Sequence, residues 1–139
     1  MKTKLNENAQ AWVAALRSGA YTKTKDMLHR VSKKGKSSFC NLGVGCDLYT
    51  KFVGGKWGTI RYDVWADNVK FTDDEGVLSD SDLTPAVMDW LGLTNSQGAY
   101  CDVNGKDCTL VKLNDKDNLT FAEIADAIES QPEGLFRTE

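Results

Sequence analysis

The chain has 139 residues, 41% hydrophobic, 27% charged and 9% aromatic, with 17 Lys and Arg against 20 Asp and Glu for a net charge of −3. This excludes a collagen, a coiled-coil rod and a chain kept unfolded by low hydrophobicity and high charge, and one domain is the expectation at this length. No apolar run nears the roughly 18 residues a bilayer crossing needs, no secretory core opens the chain, and the mild acidity argues against a duplex nucleic-acid partner.

Ala9, Trp12, Val13 and Leu16 recur at i, i+3, i+4 and i+7, which predicts an amphipathic helix over residues 6–19. Asn6 is its N-cap, Glu7 and Arg17 suit the two ends of its dipole, and Gly19 supplies a left-handed turn after it. Residues 22–25 alternate without an apolar face and read as an edge strand or a loop. A short strand over 27–31 then sets Leu28 and Arg30 opposite Met27, His29 and Val31, and residues 32–36 form a basic turn.

A second helix is expected from Ser38, capped by Ser37 or Ser38, with Leu42, Cys46 and Tyr49 on one face and Phe39 and Phe52 widening it. Gly43 and Gly45 each cost ~1 kcal/mol of helix propensity, which fits a place where another backbone packs closely. Gly54 and Gly55 end the element. Alternation over 56–71 predicts an antiparallel hairpin or one long bulged strand, with Trp57, Tyr62 and Trp65 as its rings. Residues 73–76 form an acidic turn, and Thr84-Pro85 opens a helix through Val87, Met88 and Leu91 to Gly92.

Asn104-Gly105 predicts a two-residue type I′ turn, which sets Cys101 opposite Cys108. Thr120 and Glu123 form a capping box for a last helix whose buried stripe is Phe121, Ile124, Ala125 and Ile128, closed by Pro132 and Gly134. The expected fold is therefore α+β, a small antiparallel sheet packed with three to four helices in one domain over residues 1–139, frayed near 1–5 and 133–139.

No cofactor or metal is implied. Cys40 and Cys46 lie six apart and Cys101 and Cys108 seven apart, neither a zinc spacing, so free thiols are expected, with a Cys101–Cys108 bridge only on oxidation. Gly43 and Gly45 lack the third glycine of a dinucleotide loop, and the acidic stretches 73–82 and 114–117 lack calcium-loop spacing. Charge is locally strong in one place: Lys23, Lys25, Arg30, Lys33, Lys34 and Lys36 fall in fourteen residues with only Asp26 against them. A solvated turn is the plain explanation; an anion-binding patch is the functional one.

Four segments, residues 12–21 (WVAALRSGAY), 39–49 (FCNLGVGCDLY), 83–93 (LTPAVMDWLGL) and 113–115 with 120–129 (LND, TFAEIADAIE), resemble a family of small cytosolic proteins common in tailed-phage genomes. The chain departs from it at Asn41, where relatives often carry a second adjacent cysteine, and at Gly45, where a larger apolar residue is common, which weakens a metal or redox role there. The resemblance implies a phage accessory protein of the host cytoplasm that counteracts antiviral defence by binding.

The leading expectation is a non-enzymatic binder that sequesters a small anionic, nucleotide-type signal through Arg17, Tyr21, Lys23, His29, Arg30, Lys33 and Lys34. An aromatic face with guanidinium and ammonium groups suits a base and its phosphate. The first alternative is an inhibitor that binds a host defence protein through the acidic turn at 73–82 or the aromatics near Trp65. The second is a small enzyme using Cys40, Cys46 or His29 with Asp47 or Asp115. Sponges and inhibitors are commonly symmetric, so a homo-oligomer is compatible with either binding reading.

Overall fold

A computed structural model describes residues 4–61 and 66–138. The order of elements is α1 (Glu7–Arg17), β1 (His29–Ser32), β2 (Ser37–Phe39), α2 (Asn41–Phe52), β3 (Lys56–Arg61), β4 (Ala66–Thr72), β5 (Leu78–Ser79), α3 (Pro85–Leu91), β6 (Ala99–Cys101), β7 (Asp107–Thr109), α4 (Leu110–Asp115) and α5 (Phe121–Glu129). The class is α+β, as expected, with α4 as a fifth helix among the described residues. No helix among them is long and apolar enough to cross a membrane.

The capped helices follow their sequence signals. Asn6 accepts from the Ala9 amide, Ala9, Trp12, Val13 and Leu16 are buried, and Gly19 takes a φ of +77° just past α1. The Thr120–Glu123 capping box is formed in both directions, and Gly92 ends α3 in the left-handed region.

Every strand pairing of the larger sheet is antiparallel, in the order β2-β1-β4-β3. β1 lies against Ala66–Val69 of β4, and β5 continues along the same edge against Phe71 and Thr72. The Leu28 amide donates to the Asp80 carbonyl where these two strands meet. His29, Phe39, Val69 and Phe71 fill the inner face, which joins the core built on Trp12, Leu42, Leu91 and Ile124. Tyr62 and Trp65 lie outside the described residues, so the expectation of exposed rings near Trp65 does too.

Four expectations need correction. Residues 37–39 are a strand, and α2 starts at Asn41 with the Cys40 thiol accepting from the Gly43 amide at 3.3 Å. Pairing with β1 on one side and with Thr22 and Thr24 on the other holds Phe39 extended, so the polar cap lost to a nonlocal ladder. The strand expected over 27–31 begins at His29 and runs to Ser32, and Leu28 is buried ahead of it.

The hairpin at Asn104-Gly105 is slipped by one residue, with Tyr100 opposite Cys108 and Cys101 opposite Asp107. Only Gly105 has positive φ; the Asp102 carboxylate accepts from the Asn104 and Lys106 amides and closes a three-residue loop over Val103, Asn104 and Gly105. Cys101 and Cys108 therefore point to opposite faces of the ribbon, and all four cysteines are free thiols. Finally, residues 133–137 do not fray. Glu133 accepts from the Cys101 amide, Leu135 is fully buried, and the Arg137 amide donates to the Gly92 carbonyl.

Candidate functional site

The seven residues expected to gather around an anion are distributed over several places. Arg17 leaves the end of α1 and pairs with Asp126 at 2.9 Å and Glu129 at 3.2 Å on α5. Lys23 donates to Asn118 in the loop between α4 and α5, and burial followed by the charge of Lys25 lowers its pKa. Lys33 and Lys34 stand exposed on the turn between β1 and β2. His29 and Arg30 are neighbours on β1 and so face opposite sides of the sheet.

Tyr21 and His29 both pack on Phe39, in an aromatic cluster under the sheet. The His29 ring stacks on Phe39 with centroids 4.1 Å apart and meets Trp57 edge-on at 4.7 Å, while Tyr21 meets Phe39 edge-on at 5.1 Å. The acceptor at this centre is a carboxylate. Asp47 receives the Tyr21 hydroxyl, the Trp57 indole N–H at 3.0 Å and the Lys51 ammonium at 3.2 Å. Burial, and then the bond to Asp47, hold the Tyr21 phenol above its ordinary pKa. A satisfied carboxylate in that position disfavours a phosphate there and makes the cluster a packing unit.

Asp47 enters the sequence reading only as a partner in the enzyme alternative, and neither Lys51 nor Trp57 is among the seven residues expected to hold an anion. The spacing of Asp47 and Lys51 on α2 was the available signal, since i and i+4 share a helix face.

His29 is 7% exposed, with Nε2 at 2.9 Å from the Ser37 hydroxyl and Nδ1 buried without a hydrogen-bond partner. Burial lowers its pKa from 6.5 to about 4, against the opposing pull of the Asp47 charge. The neutral ring is the form the fold prefers. Its stabilisation is complete above 6.5 and is lost as the pH falls from there towards 4. Denaturant titrations across this interval are expected to show the wild type losing stability that a His29→Phe variant retains; parallel pH profiles would refute this.

The thiols nearest Asp47 are poor nucleophiles. Burial pushes Cys40 up to about 12 despite the bond from Gly43, and raises fully buried Cys46 well above the ordinary thiol range. Among the described residues no group of three or more His, Cys, Asp or Glu could hold a metal ion.

An open depression of about 690 Å³ lies elsewhere, between the β6–β7 ribbon and the segment after α5. Its wall includes Tyr100, Asp107, Lys112 and Glu133, and none of the seven expected residues. Lys112 is engaged with Asp117 at 3.4 Å, so the charge left at its rim is acidic. That sign does not suit an anionic signal.

The strongest cationic feature is therefore the β1–β2 turn. Gly35, with φ of +82°, makes it tight; Lys33, Lys34 and Lys36 are all exposed on it. No acidic residue occurs in sequence between Asp26 and Asp47.

The family described as Domain of unknown function (DUF8296) matches residues 1–132 of the chain. No curated protein and no solved structure matches it.

Proposed function

We infer that this chain, which belongs to the DUF8296 family, is a non-enzymatic binding protein that meets an acidic partner through the β1–β2 hairpin. The observation that carries this reading is the exposed Lys33-Lys34-Gly35-Lys36 turn on an otherwise acidic molecule. Such a contrast of charge speeds encounter with an acidic surface and sets its register. The likeness to tailed-phage proteins makes a bacterial defence protein the favoured partner, with inhibition by direct contact as the mode of action. Capture of a small nucleotide-type signal has less support, because a projecting turn cannot enclose a base and the Tyr21 cluster already holds a carboxylate.

The test is capture from bacterial lysate by the wild type and by a Lys33→Glu, Lys34→Glu double variant. Both side chains are exposed, so the variant should stay folded, and its melting temperature is measured beside the capture. A stoichiometric partner held by the wild type and weakened about tenfold by the variant is the expected result. Equal capture by both proteins would count against the hairpin. Saturable calorimetric binding of a cyclic dinucleotide would return the reading to small-signal capture.

A further inference from the structure

The end of α2 and the side of α3 meet in a platform of rings away from the basic hairpin. Phe52, the last residue of α2, is 68% exposed, and Val53 after it is 47% exposed. The Phe52 ring stacks on Trp90 of α3, with centroids 6.2 Å apart and planes 29° apart. Trp90 is held in place: it meets the buried Tyr49 ring edge-on at 5.6 Å, and its carbonyl accepts from the Asn8 side chain at 2.9 Å. An exposed phenylalanine on a fixed tryptophan offers apolar area at little cost in ordering, which is the character of an interface anchor.

The charge beside these rings is negative. The Tyr49 hydroxyl donates to Asp74, and a Cβ built on Gly54 would sit 3.2 Å from the Asp74 Cβ, so this residue borders the backbone that follows Val53. Glu75 is exposed next to it. Burial, then Asp74, hold the Tyr49 phenol well above its ordinary pKa, and the charges of Asp73 and Glu75 push the same way. The C-terminal end of α2, a helix of 12 residues, adds its partial negative charge. Lys51 is engaged by Asp47 and Arg137 by Asp89, while Lys56, exposed at the start of β3, opposes the carboxylates.

We propose that this platform docks a basic protein segment, whose apolar side chain rests on Phe52 and Val53 while a neighbouring arginine or lysine meets Asp74 and Glu75. The sign of the charge sets the occupant. A cation beside an aromatic face gains from the ring's quadrupole, and here from the carboxylates as well. Nucleic acid and anionic membranes are drawn by positive charge, so the same groups repel them. A second copy placed by a two-fold axis would bring Asp74 and Glu75 of both chains together. The hairpin turn follows Ser32, opposite Ala66, whereas Asp74 lies beyond Thr72 at the other end of β4. Either surface can therefore fail without the other.

The experiment titrates two short labelled peptides into the protein, one alternating leucine with arginine and one alternating leucine with glutamate, and follows fluorescence anisotropy. The proteins are the wild type, Phe52→Ala, Glu75→Lys, and Lys33→Glu with Lys34→Glu, each with its melt recorded. The basic peptide is expected to bind saturably and to shift the Trp90 indole N–H resonance. Its affinity should fall roughly tenfold in Phe52→Ala and roughly fivefold in Glu75→Lys, and should hold in the hairpin pair. No saturable binding, equal binding of the acidic peptide, or an unchanged affinity in Phe52→Ala overturns the platform. A loss in Phe52→Ala with none in Glu75→Lys overturns the basic character of the partner. Sedimentation of the protein alone as a dimer that Phe52→Ala abolishes gives the face to a second copy and overturns the proposed occupant.

Discussion

Replacing Asn41 by leucine is expected to remove about 2–4 kcal/mol of stability, seen as a fall in the urea midpoint with little change in slope. Asn41 is fully buried at the first turn of α2. Its side-chain oxygen accepts from the Leu42 amide at 2.9 Å, and its Nδ2 donates to the Leu110 carbonyl at 3.1 Å. Leucine leaves both backbone groups in the core without these partners, and a buried unsatisfied group costs more than a hydrogen bond contributes. The surroundings make relaxation difficult. The Asn41 carbonyl receives the Trp12 indole at 2.9 Å, and the Asn41 amide donates to Asn114, which in turn donates to the Thr24 carbonyl. One residue thus ties α1, α2, α4 and the approach to β1 at the base of the basic hairpin. A loss below about 1 kcal/mol would show that water replaces these bonds, contrary to a dry core.

The parts of this fold legible in sequence are those whose determinants are local. The apolar stripe of α1, the Thr84-Pro85 start of α3 and the Thr120–Glu123 box each lie within a few residues, and each held. The misread parts depend on distant partners. β2 has three residues and exists because β1 and the Thr22–Thr24 segment pair with it, while α4 has six residues, too few for a periodic stripe to stand out. The hairpin register turned on whether Asp102 would bond two amides beyond it, which a preference for Asn-Gly does not encode. The site shows the same division. Nearness in sequence predicted a basic cluster, and the turn is one; it could not show that Arg17 would be taken by Asp126 or that Tyr21 would find Asp47. Alternation along β1 was legible, and it implied that His29 and Arg30 could not serve one ligand from the same face.

Gly43→Ala tests the packing that fixes α2 against the start of β1, with an expected loss of about 3 kcal/mol or more and failure to accumulate as folded protein if the reserve is small. A Cβ on Gly43 would sit 1.8 Å from the Leu28 carbonyl oxygen and 2.6 Å from its carbon. Those are backbone atoms held at both ends: the Leu28 carbonyl accepts from Cys40 at 3.2 Å, and the Leu28 amide donates to Asp80. No rotamer change relieves the contact, so the helix must move away from the sheet. The helix propensity gained by alanine, ~1 kcal/mol, is smaller than that cost. Gly45→Ala provides the contrast. Its Cβ would meet Leu91 Cδ1 at 3.1 Å, the far end of a flexible side chain, and about 1 kcal/mol either way is expected there. Gly58→Ala, with open space above it, should be milder still by urea titration. The order Gly43 far above Gly45, with Gly58 least, distinguishes backbone contact from a general intolerance of glycine replacement. Equal losses at Gly43 and Gly45 would mean that the approach of Leu28 to α2 is not what holds the hairpin to the core.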